Sequence, residues 1–268
     1  MGADGRGRLV VCPTPIGNLE DVTLRVLRTL GEADVIACED TRHTRKLLDR
    51  HGIAAARLIS FHEHNERRRA VELAGRIESG DVVALVTDAG TPGVSDPGFA
   101  LVRECLAREL DVEVLPGPSA VVTALVASGL PVDRWRFAGF LPRKAGELRA
   151  ELERGEETLV AFESPGRLPK TLALLAELDP KRPVAVCREL TKLHEEVVRG
   201  AAAEVAQRFA EGTRGEIVLV IGAAERAVAE ASEAREAVET LVGAGARRRA
   251  AARVVSQLTG VPANRLYR

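Results

Sequence analysis

The sequence predicts an α/β protein made of two α/β domains followed by a small helical one, and three observations predict it. Short β-branched runs alternate with amphipathic stretches over residues 8–130, the pattern of a domain built on a mainly parallel sheet. Turn residues then interrupt that pattern at Ser128-Gly129-Leu130-Pro131-Val132-Asp133-Arg134-Trp135, which marks a linker before a second α/β set at 135–222. After Gly222 no further strand pattern occurs, and 224–268 reads as helices split at Gly243-Ala244-Gly245 and before Pro262.

In the first domain the strand-like runs are 9–12, 35–38, 58–61, 82–87 and 112–115, and the helical stretches 22–30, 41–51 and 66–78 lie between them. Val22, Val26, Leu27 and Leu30 keep the spacing of one helical face. The second domain repeats the scheme with strands at 137–141, 158–162, 184–188 and 217–221 and helices at 168–178 and 203–210. A ligand of such sheets is expected at the carboxyl ends of the strands.

Composition excludes several classes. Hydrophobic residues make up 46% and charged residues 29% of 268, which suits packed cores and not disorder. The longest apolar runs are of strand length, short of a membrane span. Residues 1–6 show no apolar signal segment, and Arg6 stands where a myristoylation signal wants Ser or Thr, so secretion and lipid anchoring are not expected. Cys12, Cys38, Cys105 and Cys187 form no CxxC pair; they read as buried free thiols of a reduced cytoplasm, and no metal is expected. With 38 basic against 39 acidic side chains, one Trp, one Tyr and six Phe, composition offers neither a basic surface nor a stacking platform.

The most informative stretch is Thr87-Asp88-Ala89-Gly90-Thr91-Pro92-Gly93-Val94-Ser95-Asp96-Pro97-Gly98, which leaves a strand and enters a helix. Glycines let backbone approach a ligand, and prolines stiffen the loop. Ser95 or Asp96 with Pro97 also reads as a helix N-cap followed by an N1 proline. Similar loops follow the first strand, at 13–21, and the fifth, at 115–120. Three such loops can meet at one sheet edge. The glycine fingerprints of dinucleotide and nucleoside-triphosphate sites do not occur.

The motifs PTPIGNLED (13–21), ACEDTRHT (37–44), TDAGTPGVSDPG (87–98), LPGPSA (115–120), GFLPRK (139–144), FESPGRL (162–168) and CRELTKLHEE (187–196) resemble, in register over residues 9–222, the 16S ribosomal RNA (cytidine-2′-O)-methyltransferase family, ribosomal small subunit methyltransferase I. That family belongs to the tetrapyrrole-methylase superfamily. The resemblance implies two domains of tetrapyrrole-methylase type with S-adenosylmethionine in a cleft between them. It implies donor contacts from Ile16, Asp88, Gly90, Thr91, Val94, Ser119 and Ala120, and from Phe162, Ser164, Glu189 and Gly215 at strand ends of the second domain. It also implies a homodimer acting on a decoding-centre cytidine of 16S rRNA within the small subunit. C-methylating relatives usually carry Gly-Asp-Pro where this chain has Gly90-Thr91-Pro92, so Thr91 fits the RNA branch better than the alternative, a tetrapyrrole (corrin precursor) C-methyltransferase. The stretch 257–268 resembles the family's small extra domain. A docking factor without catalysis is a third reading, against which the dense loop motifs speak.

Methyl transfer from a sulfonium to a hydroxyl is an in-line displacement that needs orientation and a group to accept the hydroxyl proton. Asp40, Glu189 and Lys192 are the candidate catalytic groups, with Glu163 next. Asp40 also reads as the cap of the helix starting near Thr41, and Glu195 and Glu196 as solvent-facing. Basic groups occur at Arg42, Arg45 and Lys46, at Arg67, Arg68 and Arg69, at Arg143 and Lys144, and at Arg247, Arg248 and Arg249. Arg42, Arg143 and Lys144 lie in the motifs beside the expected cleft and are the candidate RNA phosphate contacts.

Overall fold

The computed structural model describes residues 7–54, 57–224 and 231–266. The chain divides into two compact units, 1–223 and 224–268. Among the described residues no helix is long and apolar enough to cross a membrane.

In the first unit β1 (Arg8–Val11), α1 (Leu24–Glu32), β2 (Val35–Cys38), α2 (Thr41–Arg50), β3 (Arg57–Ser60), α3 (Glu66–Glu78), β4 (Val82–Leu85), α4 (Phe99–Ala107) and β5 (Asp111–Val114) alternate strictly. They form a sheet of order β3-β2-β4-β1-β5 in which every pairing is parallel. Both faces are covered, which explains the near-continuous apolar strands. Leu9, Val11, Val35, Ala37, Val83 and Leu85 pack with Leu73, Ile77 and Leu101 of α3 and α4. Val10, Ile36, Cys38 and Ala84 point the other way, toward Val26, Leu30, Leu47 and Leu48 of α1 and α2. Helix α1 starts two residues later than the apolar spacing predicts, because Thr23 Oγ1 accepts from the Val26 N–H at 3.2 Å and caps it.

The chain continues through α5 (Ala120–Ser128), β6 (Trp135–Phe140), α6 (Ala145–Glu153), β7 (Thr158–Glu163), α7 (Leu168–Leu178), β8 (Pro183–Arg188), β9 (Glu196–Ala201), α8 (Ala202–Arg208) and β10 (Ile217–Ile221). The second sheet has the order β6-β7-β10-β8-β9. Only β6 and β7 pair in parallel; β10 runs antiparallel to both β7 and β8, and β8 antiparallel to β9. Strand β9, which contains Glu196, is absent from the sequence-based expectation. The short connection 189–195 cannot make a parallel crossover, so β8 and β9 close as a hairpin.

One face of this sheet buries Leu159, Val186 and Leu219 against α6, α7 and α8. Its other face, with Val160, Ala185, Val218 and Val220, packs on Val121, Ala124 and Leu125 of α5 and on Ile16. Helix α5 precedes the linker but fastens to the second sheet: the Cys187 thiol lies 3.8 Å from the Ala124 carbonyl, and Arg199 Nε donates to the Ala127 carbonyl at 3.0 Å. The ends of the two sheets are thereby brought together within one unit.

The second unit contains α9 (Ala231–Gly243), α10 (Arg248–Thr259) and α11 (Ala263–Leu266). Val238, Ala252, Val255, Val261 and Leu266 form its core. Gly260, with φ +74°, ends α10 in the left-handed conformation. Tyr267 and Arg268, part of the expected terminal segment, lie outside the described residues.

Candidate active site

The three glycine- and proline-bearing loops leave the carboxyl ends of β1, β4 and β5 and are tied to one another. Thr14 and Gly90 exchange backbone hydrogen bonds of 2.9 and 3.0 Å as an isolated antiparallel bridge. Thr14 Oγ1 donates to the Thr87 carbonyl at 2.9 Å, and Thr91 Oγ1 donates to the Pro118 carbonyl at 3.3 Å. Gly117 is required where the third loop crosses the first, since a Cβ there would stand 2.6 Å from Pro13 Cβ. The loops are therefore fixed before any ligand arrives.

They open on a cavity of about 470 Å³ that the second sheet also lines. Ile16 comes from the first loop, Asp88, Gly90, Thr91 and Val94 from the second, and Ser119 and Ala120 from the third. Phe162 and Ser164 at the end of β7 and Gly215 before β10 face them. Of the eleven residues that the resemblance implies as donor contacts, these ten line one space, and Glu189 stands outside the lining. Phe140 also lines it, its ring 5.4 Å from that of Phe162.

The sequence reading of Ser95 or Asp96 as the cap of α4 does not hold. Gly98 occupies the cap position with φ +150°, and the carboxylate that serves it comes from α3. Glu66 Oε1 accepts from the Gly98 and Ala100 N–H groups at 3.1 and 2.9 Å. Ser95 is held at φ +61°, in the left-handed region, and both Ser95 and Asp96 line the cavity.

Electrostatically the cavity is one-sided. Glu39, Asp88, Asp96, Glu163 and Glu216 line it, and none of its lining residues is a Lys, Arg or His. Burial pushes Asp96 up to about 7, helped by the charges of Glu39, Asp88 and Glu216. Burial, then the Asp88 charge, also raises Glu39. Glu163 is buried and fully engaged: its oxygens accept from the Ser164 N–H and the Thr171 hydroxyl at 2.7 Å each, and Arg167 stands 3.4 Å away.

Asp40, Glu189 and Lys192, the groups first expected to handle the proton, stand around this cavity and not in its lining. Asp40 caps α2, accepting from the Arg42 N–H at 2.8 Å. Its side-chain pair with Arg42, with that backbone bond, holds its carboxyl well below the usual range. Glu189 Oε1 accepts from the Glu216 N–H at 2.8 Å and from Lys192 Nζ at 3.0 Å; the backbone bond and then the lysine lower its pKa. Burial alone would lower Lys192, but hydrogen bonds to Glu216 and Glu189 hold it above its ordinary value. The loop they form is strained, with Glu189 at φ +51° and Thr191 at φ +64°, and Asn18 of the first loop donates its N–H to Thr191 Oγ1 at 3.0 Å. Glu189 and Lys192 thus brace Gly215 and Glu216 at the cavity wall. A Cβ on Gly215 would fall 2.6 Å from Glu189 Cγ.

Of the candidate phosphate contacts, Arg42 has 88% of its side chain exposed, and Arg143 and Lys144 are exposed at the start of α6, where Lys144 pairs with Glu147 at 2.9 Å. All four cysteines are buried free thiols, and burial raises each above the ordinary thiol value. No group of three or more metal-ligating side chains occurs among the described residues.

A parallel and a mixed sheet, joined at their ends by pre-tied loops around a single cavity, define a methylase of the tetrapyrrole type; residues 8–206 match the Tetrapyrrole (Corrin/Porphyrin) Methylases. Within that class the relatives are specific. Ribosomal RNA small subunit methyltransferase I of Micromonospora olivasterospora is 43% identical over 98% of this chain and 86% of its own length. The protein of the same name from Mycobacterium tuberculosis is 45% identical over 97% and 93%. The chain belongs to the ribosomal RNA small subunit methyltransferase I family. Among solved structures, uroporphyrin-III C-methyltransferase from Thermus thermophilus, complexed with S-adenosyl homocysteine, is 25% identical with a TM-score of 0.57 over 81% of this chain and 97% of that one. A diphthine synthase shares the fold at 16% identity, with a TM-score of 0.62 over 80% and 89%.

Proposed function

We propose that this chain transfers a methyl group from S-adenosylmethionine to the 2′-oxygen of a decoding-centre cytidine of 16S rRNA, within the small ribosomal subunit, as a cytoplasmic homodimer. The observation that carries the donor part is the cavity: rigid loops surround a space lined by carboxylates without a cationic side chain. A donor bearing a sulfonium and an ammonium fits that field. When bound, S-adenosylmethionine supplies an electrophilic methyl group. The chain's own residues orient the partners: Thr14, Gly90 and Thr91 fix the loops, Phe140 and Phe162 present an aromatic wall, and Glu189 with Lys192 braces Gly215 and Glu216.

The acceptor part is supported by the family relationship and by exposed Arg42, Arg143 and Lys144 outside the cavity, where phosphates are held while a ribose enters. The same field disfavours a corrin precursor, whose carboxylates would meet only like charge in the cavity lining. We assign residues 8–130 and 135–222 to donor binding. Residues 224–268 engage RNA through Arg247, Arg248 and Arg249, of which Arg248 pairs with Glu239 at 2.7 Å. Calorimetric titration of the protein with S-adenosylmethionine in the absence of RNA should show binding, and light scattering should give twice the chain mass. No donor binding, or a monomer at working concentration, would count against the respective statement.

A further inference from the structure

We infer that Asp96 is the catalytic residue that accepts the hydroxyl proton of the acceptor as its oxygen is methylated. The inference rests on the methyl-transfer reading above.

Displacement by a neutral hydroxyl needs a proton acceptor within reach of the reacting oxygen. The cavity lining holds no His or Lys, so the choice lies among its carboxylates. Glu163 is spent on Ser164, Thr171 and Arg167. Asp88 Oδ1 accepts from the Asp40 N–H at 3.0 Å. Glu216 reaches outward, 75% exposed, to Lys192 at 2.9 Å. Glu39 is raised by burial and by the Asp88 charge, but the Asp88 backbone and His62 partly offset that rise, whereas nothing offsets it at Asp96. No described residue donates a hydrogen bond to Asp96. The helix-capping duty that the local sequence would give Asp96 is performed by Glu66, from a different helix. The left-handed turn at Ser95 is a strained conformation at the cavity wall, immediately before Asp96.

The electrostatics suit the task. Asp96 is raised to about 7 by burial and by Glu39, Asp88 and Glu216, so near neutrality it is both ionised in a large fraction of molecules and basic enough to bind a proton. In the step itself, the acceptor oxygen forms its bond to the methyl carbon. The sulfur–carbon bond breaks with its electron pair left on sulfur, and the hydroxyl proton passes to the Asp96 carboxylate, later to be lost to water. One cation and one carboxylate become a neutral thioether and a neutral acid. That loss of charge separation favours the step wherever the polarity around the reacting atoms is below that of water.

The test compares wild type with Asp96→Asn and Asp96→Glu. In carboxyl ¹³C NMR of aspartate-labelled protein, one resonance should titrate near pH 7 and vanish in Asp96→Asn. Single-turnover methylation of small subunits should fall about 100-fold or more in Asp96→Asn and lose the rise with pH through neutrality, while Asp96→Glu recovers both in part. Donor affinity within about tenfold of wild type shows the variants are folded. Wild-type turnover with an Asp96→Asn rate and pH profile like its own would overturn the inference and leave the proposed function intact. Failure of the wild type to methylate subunits would remove the function itself, and the inference with it.

Discussion

Replacing Gly90 probes the point where the first two loops are locked together. Gly90 has φ +78°, and both its backbone groups are bonded to Thr14, so the residue cannot turn away to relieve a new side chain. A Cβ would meet only Ile16 Cγ2, at 3.6 Å, an ordinary contact. Gly90→Ala therefore costs about 1–2 kcal/mol, the left-handed penalty alone. Gly90→Val adds two γ-carbons with a stiff χ1, of which one is driven into Ile16 or into the cavity, for a total of about 2–4 kcal/mol. A domain with a stability of about 5–15 kcal/mol survives that loss, melting about 5–12 °C lower. Donor affinity should fall modestly for Ala and by about 100-fold or more for Val, because the added atoms occupy space the donor needs. Thermal unfolding and calorimetry with S-adenosylmethionine separate the two effects. A folded Gly90→Val protein that binds donor as tightly as wild type would refute the assignment of the cavity.

Other outcomes follow from the charges. The folded-state pKa of Asp96, about 7, lies above the ordinary 3.8; the folded protein then holds a proton that the unfolded chain releases between these values, and stability falls as pH rises across that window. Asp96→Asn should match wild type below about pH 4 and melt higher above about pH 7; identical melting curves at every pH would contradict this. Glu163→Ala strands the buried Thr171 hydroxyl and the Ser164 N–H, and chemical denaturation should register a loss of about 2–3 kcal/mol, with less than 1 kcal/mol arguing that water replaces the carboxylate. Arg42→Ala and Lys144→Ala should weaken subunit binding, less so as salt rises, and leave donor affinity nearly unchanged; a filter-binding salt series that gives wild-type slopes would exclude them as phosphate contacts.

Local chemistry made much of this molecule legible. The loops after β1, β4 and β5 announce themselves by Gly and Pro; which of their residues face the cavity was implied by the family resemblance, and that reading left out Ala89, Ser95 and Asp96. The capping role of Asp40 was equally visible, since the cap and the helix it serves are adjacent. What could not be read depends on distant partners. The Ser95-Asp96-Pro97 stretch has the composition of a helix start, but Glu66 takes over the N-terminus of α4 and Asp96 is left to the cavity. Strand β9 escapes notice because Glu196, Arg199 and Gly200 break any apolar alternation, as suits an edge strand. Helix α5 carries Val121, Ala124 and Leu125, whose partners on β7, β8 and β10 lie beyond the linker, so no local pattern reveals that the helix joins the second sheet to the first. The antiparallel insertion of β10 between β7 and β8 is likewise a matter of pairing, not of composition.

The central statement, that the acceptor is a ribose oxygen of small-subunit RNA, is tested most directly by the product. Small subunits from a strain lacking the enzyme are incubated with purified protein and S-adenosylmethionine, and the RNA is digested and analysed by mass spectrometry. The expected result is one added methyl group on a cytidine of 16S rRNA, recovered after alkali as a resistant dinucleotide, because a methylated 2′-oxygen can no longer attack the neighbouring phosphate. A methyl group on a base, or no incorporation into RNA while a corrin precursor is methylated, would contradict the proposed acceptor.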